Sequence, residues 1–336
     1  MSGFDVFLHD PALRPVLWGL GAGFGATLLG LLVFGLVQAD PAAPGQRSLK
    51  PGALVAGAFT GLNQSKGQLA GLLIVITGLT TGITTLDLMG LPGMSIGLMI
   101  CAAALVFLGH RALLKQATRR MGHVMPSSGM WLVLVTNLLL GLIILVVAGL
   151  LAALGLLAYA VLNSLMDAPG SISAVLAFLV ATILVLLSPL AARMSFAFPA
   201  ISIGFRYGLG TAASKSAGLG VSLASALWVT ALVSHALIFG VSLGLQELIW
   251  TVLGYPTPEA DLTGFAPHYP SPSETAFWVD VVLFTLPTEL LNNLYILISV
   301  AVLSTAYERR LLDDPGLSAV FSDAPDAPGD ADATHA

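Results

Sequence analysis

Residues 131–162 read WLVLVTNLLLGLIILVVAGLLAALGLLAYAVL, and none of these 32 consecutive residues is Asp, Glu, Lys or Arg. A bilayer core about 30 Å thick is crossed by roughly 20 apolar helical residues, because a helix satisfies its own backbone polar groups in hydrocarbon. The stretch therefore predicts a membrane helix that is long enough to tilt or to continue into the interface. The rest of the chain repeats this pattern.

The overall composition indicates a protein that is embedded in a lipid bilayer. Of the 336 residues, 56% are hydrophobic and only 9% are charged, whereas a soluble domain has about 25% charged residues. The mean hydropathy of +0.91 agrees. A soluble globular protein is thereby excluded, and nothing supports nucleic-acid binding. Cys101 is the single cysteine, which rules out an intrachain disulfide and a cysteine-based metal cage.

Seven stretches are long and apolar enough to cross a membrane, so we predict an all-α, polytopic transmembrane bundle. Residues 1–310 would form one membrane domain, and residues 311–336, rich in Asp, Ala and Pro, an acidic disordered tail. Residues 51–62 are also apolar but too short to cross, and we expect them at the interface. The predicted crossings are 15–37, 67–88, 91–109, 131–162, 172–192, 219–245 and 277–306.

The basic residues predict the orientation of the bundle. Of the 13 Lys and Arg residues, 12 follow the first, third, fifth and seventh predicted crossings, and the loops on the other side contain none. The positive-inside rule then places the N-terminus outside and the C-terminus in the cytoplasm. Membrane lipids are the expected partners, with a membrane protein or a second copy as an alternative. The candidate headgroup contacts are Arg111, Lys115, Arg119, Arg120, Arg193, Arg206 and Lys215.

Two ionisable residues, His235 and Glu289, fall within the apolar runs. Insertion of an ionisable side chain deep into a bilayer costs about 2.5–3.5 kcal/mol of free energy, so such a residue is usually either paired with another polar group or required for function. Spacings of three and four place Thr285, Glu289, Asn292 and Asn293 on one helical face. Together with His235 they form a candidate polar site, in which a Glu289–His235 pair could serve a secondary transporter or a proton-linked channel.

A structural interpretation of the same residues stays open. Pro287 and Thr288 resemble a helix start, which would place Glu289 at the outer rim and leave residues 277–286 at the interface. His235 would then be a hydrogen-bonding group between packed helices. Small residues at helical spacing commonly let membrane helices approach closely. The sets with this spacing are Gly19, Gly21, Gly23 and Gly25, the pair Gly240 and Gly244, and a threonine stripe from Thr77 to Thr85.

Enzyme motifs are absent from the sequence. It contains no HExxH, no GxSxG, no phosphate-binding P-loop and no GxGxxG that follows a strand. No set of side chains has the spacing of a metal or cofactor site. We therefore expect no cofactor and a non-enzymatic membrane protein that binds lipid or a membrane partner in envelope organisation.

Residues 188–230, SPLAARMSFAFPAISIGFRYGLGTAASKSAGLGVSLASALWVT, follow a recognisable pattern, in which an Arg precedes an Ala-x-Pro-Ala-like turn and a short segment that ends in Ser. Together with LSTAYERR at 303–310, this pattern resembles uncharacterised bacterial multi-pass proteins related to the membrane domain of glycerophosphodiester phosphodiesterases. The resemblance implies a membrane fold in a bacterial inner membrane and transfers no activity, since no barrel-sized sequence is present. Pro199 and the glycines from Gly204 to Gly210 should break the helix of the fifth predicted crossing, placing Phe196, Phe198, Phe205 and Tyr207 in the headgroup layer. The residues in comparable places are Arg193, Pro199, Ala200, Ser214 and Ser216.

Overall fold

The computed structural model describes residues 14–37, 49–91, 93–114, 126–166, 172–205, 208–252 and 275–312. Throughout these ranges the regular elements are helices. They are α1 (Arg14–Val37), α2 (Pro51–Gln64), α3 (Lys66–Leu88), α4 (Met94–Leu113), α5 (Pro126–Met166), α6 (Ile172–Met194), α7 (Ala197–Ile203), α8 (Leu209–Lys215), α9 (Gly220–Val252), α10 (Thr275–Asp280) and α11 (Leu286–Leu312), with a π-helical segment, Val281–Thr285, between α10 and α11.

Seven helical segments are long and apolar enough to cross a membrane, which confirms the predicted all-α polytopic bundle. Two of them run further than the sequence pattern indicated, because the short helix α7 continues α6 and because α11 extends to the basic residues that follow the last apolar run. The tail proposed for 311–336 lies outside the described residues beyond Leu312. The seven spans are Pro15–Val37, Lys66–Leu88, Met94–Leu113, Gly129–Ala160, Ile172–Ile203, Gly220–Leu245 and Phe277–Arg310.

Helix α2 is the apolar segment that we expected to be too short to cross. Its 14 residues extend about 21 Å at 1.5 Å per residue, less than the thickness of the hydrocarbon core. Pro51, Leu54 and Ala58 are buried on its inner side. A single residue, Ser65, separates α2 from α3, and α2 packs against the end of α11.

Helices α1 and α6 lie in close contact because α1 carries glycine where they meet. A Cβ atom built at Gly19 or Gly23 would overlap the backbone of Ala174 or Phe178. Gly21 and Gly25 face open space, so only alternate glycines of the predicted set serve this approach. Gly240 and Gly244 likewise have no described atom within 4 Å of a built Cβ. These two glycines therefore do not lie where two described helices come close together.

The main buried core lies toward the end of the bundle where the basic residues are, and it includes the short helix α7. All seven residues of α7 are buried. Phe196 is 1% exposed and meets the ring of Tyr307 edge-on at 5.6 Å, and Phe198 is 8% exposed. The expectation that these two aromatic side chains lie in the headgroup layer was therefore wrong. Phe205 is half-buried and Tyr207 lies outside the described residues.

The last crossing continues through Pro287 where a helix start was one expectation. Proline cannot donate its backbone nitrogen to the carbonyl four residues earlier, and its ring crowds that carbonyl. The π-helical segment Val281–Thr285 lies directly before this point, and such a wide turn accommodates the missing bond. The helical path of the last crossing therefore includes residues 277–286.

Candidate functional site

Two clusters of polar and charged side chains in the part of the chain that the structure describes are candidates for a functional site. The first, which we call the polar seam, runs between α3 and α11 and includes five threonines of α3, namely Thr77, Thr80, Thr81, Thr84 and Thr85, together with Glu289 and Asn293 of α11. The second, the basic cap, is formed by residue 50, α2, α7 and α8 with the start of α3 and the ends of α4, α6 and α11. Of the predicted polar site, Thr285, Glu289 and Asn293 belong to the seam, whereas His235 and Asn292 do not.

Asn293 is the central hydrogen-bonding residue of the seam. Its side-chain amide, 3% exposed, donates to Thr80 Oγ1 at 3.0 Å and to Thr77 Oγ1 at 3.4 Å. Thr80 in turn donates to the Thr77 carbonyl of its own helix. An amide that is bonded in this way across two membrane helices stabilises their packing and fixes their register.

Glu289 is bonded one turn above Asn293 on the same face. Thr84 Oγ1 donates to Glu289 Oε1 at 3.0 Å, and the carboxylate side chain is half-buried. Thr84 lies four residues before the end of α3 at Leu88, which is about 6 Å along the helix axis. Glu289 therefore lies closer to the end of the bundle that is opposite to the basic cap, twelve residues inside the span that begins at Phe277.

The remaining side chains of the seam make fewer hydrogen bonds between helices. Thr85 donates to the Thr81 carbonyl at 2.7 Å, and Thr285 is buried at the start of the seam. Thr81 Oγ1 is buried and has no hydrogen-bond partner among the described residues. Asn292 is half-buried on α11. The sequence placed Asn292 and Asn293 on one face, but only Asn293 faces the threonines.

His235 belongs to a different surface. It is exposed on α9, and its Nδ1 lies 2.8 Å from the Ala231 carbonyl of its own helix. Its ring packs edge-on against Tyr295 at 4.8 Å. Tyr295 is six residues beyond Glu289 on α11, about 9 Å along the axis, and no hydrogen bond or ion pair joins His235 to Glu289 in the described structure. The expected Glu289–His235 contact is therefore not formed.

In the basic cap, arginine side chains fasten the short helices to the long ones. Arg193 of α6 donates from Nε and from Nη2 to the Ala213 carbonyl of α8. Ser216 Oγ, at the end of α8, lies 3.1 Å from the Arg193 carbonyl and 2.8 Å from the Ala212 carbonyl. These contacts fix the short segment between the fifth and sixth crossings against α6.

The end of α11 makes equivalent contacts. Arg309 Nη2 donates to the Ala53 carbonyl of α2 at 3.2 Å, and Arg310 Nε donates to the Lys215 carbonyl at 3.2 Å. A Cβ atom built at Gly57 would overlap the side chains of Thr305 and Arg309, so glycine is what lets α2 approach α11 here. The last two arginines of the crossing thus reach both α2 and α8.

His110 is a buried residue of this end that lies just beyond the predicted third crossing, 91–109. It is 0% exposed, and its Nδ1 lies 2.8 Å from Ser304 Oγ of α11. Its Nε2 has no partner among the described residues. The adjacent Arg111 lies over the ring of Phe107, with 5.5 Å between Cζ and the ring centroid. The apolar residues before His110 were the only signal that it continues α4.

Charge is strongly unequal at this end of the described chain. Glu308 is its one described acidic residue, whereas the other described acids, such as Asp87 and Glu289, belong to the opposite end. Of the predicted headgroup contacts, Arg111, Arg193 and Lys215 lie in the cap, and Lys115, Arg119, Arg120 and Arg206 lie outside the described residues. The described cations of the cap are Lys50, Lys66, Arg111, Arg193, Lys215, Arg309 and Arg310.

No group of three or more His, Cys, Asp or Glu residues that could hold a metal ion occurs in the part of the chain that the structure describes. Cys101 is buried and is a free thiol. Comparison with family models, with curated proteins and with solved structures gives no match to this chain. The site is therefore characterised by its own geometry, a bonded polar seam toward one end and a cationic cap at the other.

Proposed function

We propose that this chain is a non-enzymatic integral membrane protein whose basic cap binds anionic lipid headgroups in the organisation of a bacterial envelope. The observation that carries the proposal is the excess of charge at the cap, where seven described cations accompany one described acid. These cations stand at or near helix starts and ends, which in a bilayer would bring them close to the lipid phosphates. Each Lys or Arg near an anionic membrane surface contributes about 1 kcal/mol of attraction.

The chemistry of the cap favours phosphate as its ligand. A guanidinium group has five N–H donors in a planar fork that matches the oxygens of a phosphate. Arg193 uses two of its nitrogens on one carbonyl, which holds the fork in place and leaves further donors for a ligand. The exposed side chains of Lys50, Lys66 and Lys215 add positive charge around it.

The same charge distribution supports an orientation and a location. Under the positive-inside rule the cap would face the cytoplasm of a bacterial inner membrane, with the N-terminus outside and the C-terminus inside. The cytoplasmic leaflet is also the one that carries a negative surface potential. The likeness of residues 188–230 to bacterial multi-pass membrane domains is in keeping with that location. An acidic membrane protein or a second copy would be the alternative occupant.

The test exchanges the exposed lysines and leaves the helix-fastening arginines intact. Lys50, Lys66 and Lys215 are replaced together by Gln, and the matched control replaces all three by Arg, which keeps the charge. Each protein is placed in nanodiscs that contain equal amounts of phosphatidylglycerol and phosphatidylcholine, and native mass spectrometry counts the lipids that remain bound. We expect the Gln variant to retain at least five-fold less phosphatidylglycerol, since a loss of about 1 kcal/mol corresponds to about five-fold.

Equal retention by the Gln and Arg variants would refute the lipid-binding proposal. A second protein at fixed stoichiometry, lost from the Gln variant only, would identify a membrane partner as the ligand of the cap. Retention that falls equally for both lipids would indicate a damaged fold, and the melting temperature of each variant separates that case from the expected one.

The polar seam favours a second candidate, a transporter or proton-linked channel. The supporting observation is the pair of incompletely used polar groups, the half-buried Glu289 carboxylate and the buried Thr81 hydroxyl. Glu289→Gln preserves an acceptor for Thr84 and removes the ionisable group, so a proton-linked mechanism predicts loss of flux in liposomes with the fold intact. Asn292→Ala, on the same helix, is the control. Unchanged flux in Glu289→Gln would remove this residue from the mechanism.

A further inference from the structure

The acidic C-terminal tail has a matching surface on the basic cap. Residues 313–336 contain six aspartates and no Lys or Arg, whereas the preceding helix ends with Arg309 and Arg310. This last helix reaches the cap itself, because Arg309 and Arg310 donate to carbonyls of α2 and α8. The tail therefore begins at the cationic end of the bundle, with Asp313 and Asp314 as its first residues.

We propose that residues 313–336 bind across the basic cap and compete with anionic lipid headgroups for its cations. The six tail aspartates are opposite in charge to the cations of the described cap. This inference rests on the proposed lipid function and adds its regulation. The covered cap would be the state in a membrane of low anionic content, and lipid phosphates would displace the tail as that content rises.

The length of the tail is sufficient for such coverage. A chain of 24 residues spans at most about 80 Å when it is fully extended. Helix axes pack about 8–10 Å apart, so the tail can reach the cations of α2, α3, α4 and α8 from the end of α11. Because it is covalently attached, its local concentration at the cap is of millimolar order. A weak electrostatic attraction is then enough for substantial occupancy.

The lysine distribution permits a direct test on the intact protein. Carbodiimide treatment joins a carboxylate to a lysine amine only when the two touch, and the described lysines, Lys50, Lys66 and Lys215, all belong to the cap. Trypsin has no cleavage site after Arg310, so residues 311–336 are released as one peptide. In phosphatidylcholine nanodiscs at low salt we expect amide links between this peptide and peptides that contain the cap lysines. In 1 M salt, where the Debye length is about 3 Å, the links should fall several-fold.

Two further measurements complete the test. A variant with the six tail aspartates replaced by Asn should lose the links and should bind at least three-fold more phosphatidylglycerol than the parent at low lipid content. A parallel reaction with added glycine methyl ester verifies that the tail carboxylates are activated. Tail carboxylates that react with the ester but form no link to the cap lysines would overturn the proposal.

Varying the lipid composition distinguishes failure of the tail proposal from failure of the proposed lipid function. When half of the phosphatidylcholine is replaced by phosphatidylglycerol, the links should fall at least three-fold. Links that persist while phosphatidylglycerol is bound would overturn the competition between tail and lipid. Links that form in nanodiscs where no variant binds phosphatidylglycerol would refute the lipid function and leave the tail as a ligand of the cap.

Discussion

Asn293 shows how a single residue joins two helices, α3 and α11, that are far apart in sequence. Its amide bonds two threonines that are 213 and 216 residues away in sequence, and Thr84 and Glu289 repeat this pairing one turn further along. Interhelical hydrogen bonds in membranes average about 0.6 kcal/mol, with maxima near 1.7. A residue that makes two of them in a buried position contributes measurably to the stability of the bundle.

Asn293→Ala should destabilise the protein by about 1–2 kcal/mol, because both bonds are lost and a small cavity remains. The matched control is Asn292→Ala, in which the half-buried neighbour changes by the same atoms, and its expected effect is below about 0.5 kcal/mol. Equilibrium unfolding in mixed micelles of increasing denaturing detergent measures both. Equal destabilisation by the two substitutions would contradict the assignment of Asn293 to the seam.

At the level of whole elements, glycine decides which face of α1 can meet α6. Gly19 and Gly21 are alike in the sequence, yet only Gly19 lies where added atoms would meet a backbone. Which of several glycines is used depends on the rotation of the helix about its axis, which a stretch of continuous apolar residues leaves undetermined. The structure supplies that rotation.

Gly19→Ala should separate α1 from α6 and lower the stability by about 1–3 kcal/mol, the range for overpacking. Gly21→Ala adds the same methyl group to open space and should leave the stability unchanged, or raise it by up to about 1 kcal/mol through helix propensity. Thermal unfolding of the two variants side by side measures the difference. A melting temperature that falls equally in both would show that the methyl group acts through something other than the α6 contact.

Element boundaries were predictable where hydropathy controls them and were not where packing does. The seven spans follow directly from apolar length, and α2 follows from being too short to cross. Burial of α7 was not predictable, because Phe196 and Phe198 are equally suited to a headgroup layer and to a core. The position of His235 against Tyr295 and away from Glu289 required the relative rotation of α9 and α11, for which the sequence contains no marker.

For the molecule as a whole, the separation of charge between its two ends predicts a single orientation. Reporter fusions measure it, with alkaline phosphatase active outside and green fluorescent protein fluorescent inside. A fusion after Leu312 should fluoresce and lack phosphatase activity, and a fusion within residues 89–93 should do the opposite, by the positive-inside rule. Phosphatase activity after Leu312 would invert the orientation and would place the basic cap in the outer leaflet.

Helix α11, which contacts α2, α3, α4 and α9, is synthesised after all the other helices that the structure describes. Arg309 donates to the Ala53 carbonyl across 256 residues of sequence, so this contact of α2 cannot form until those residues have been synthesised. At about 5–20 residues per second, that interval lasts on the order of tens of seconds. During it, the threonines of α3 lie in the membrane without their asparagine and glutamate. Assembly of the described bundle therefore depends on the arrival of α11, and a chain that stops short of Leu286 leaves the threonines of α3 without their hydrogen-bond partners in the membrane.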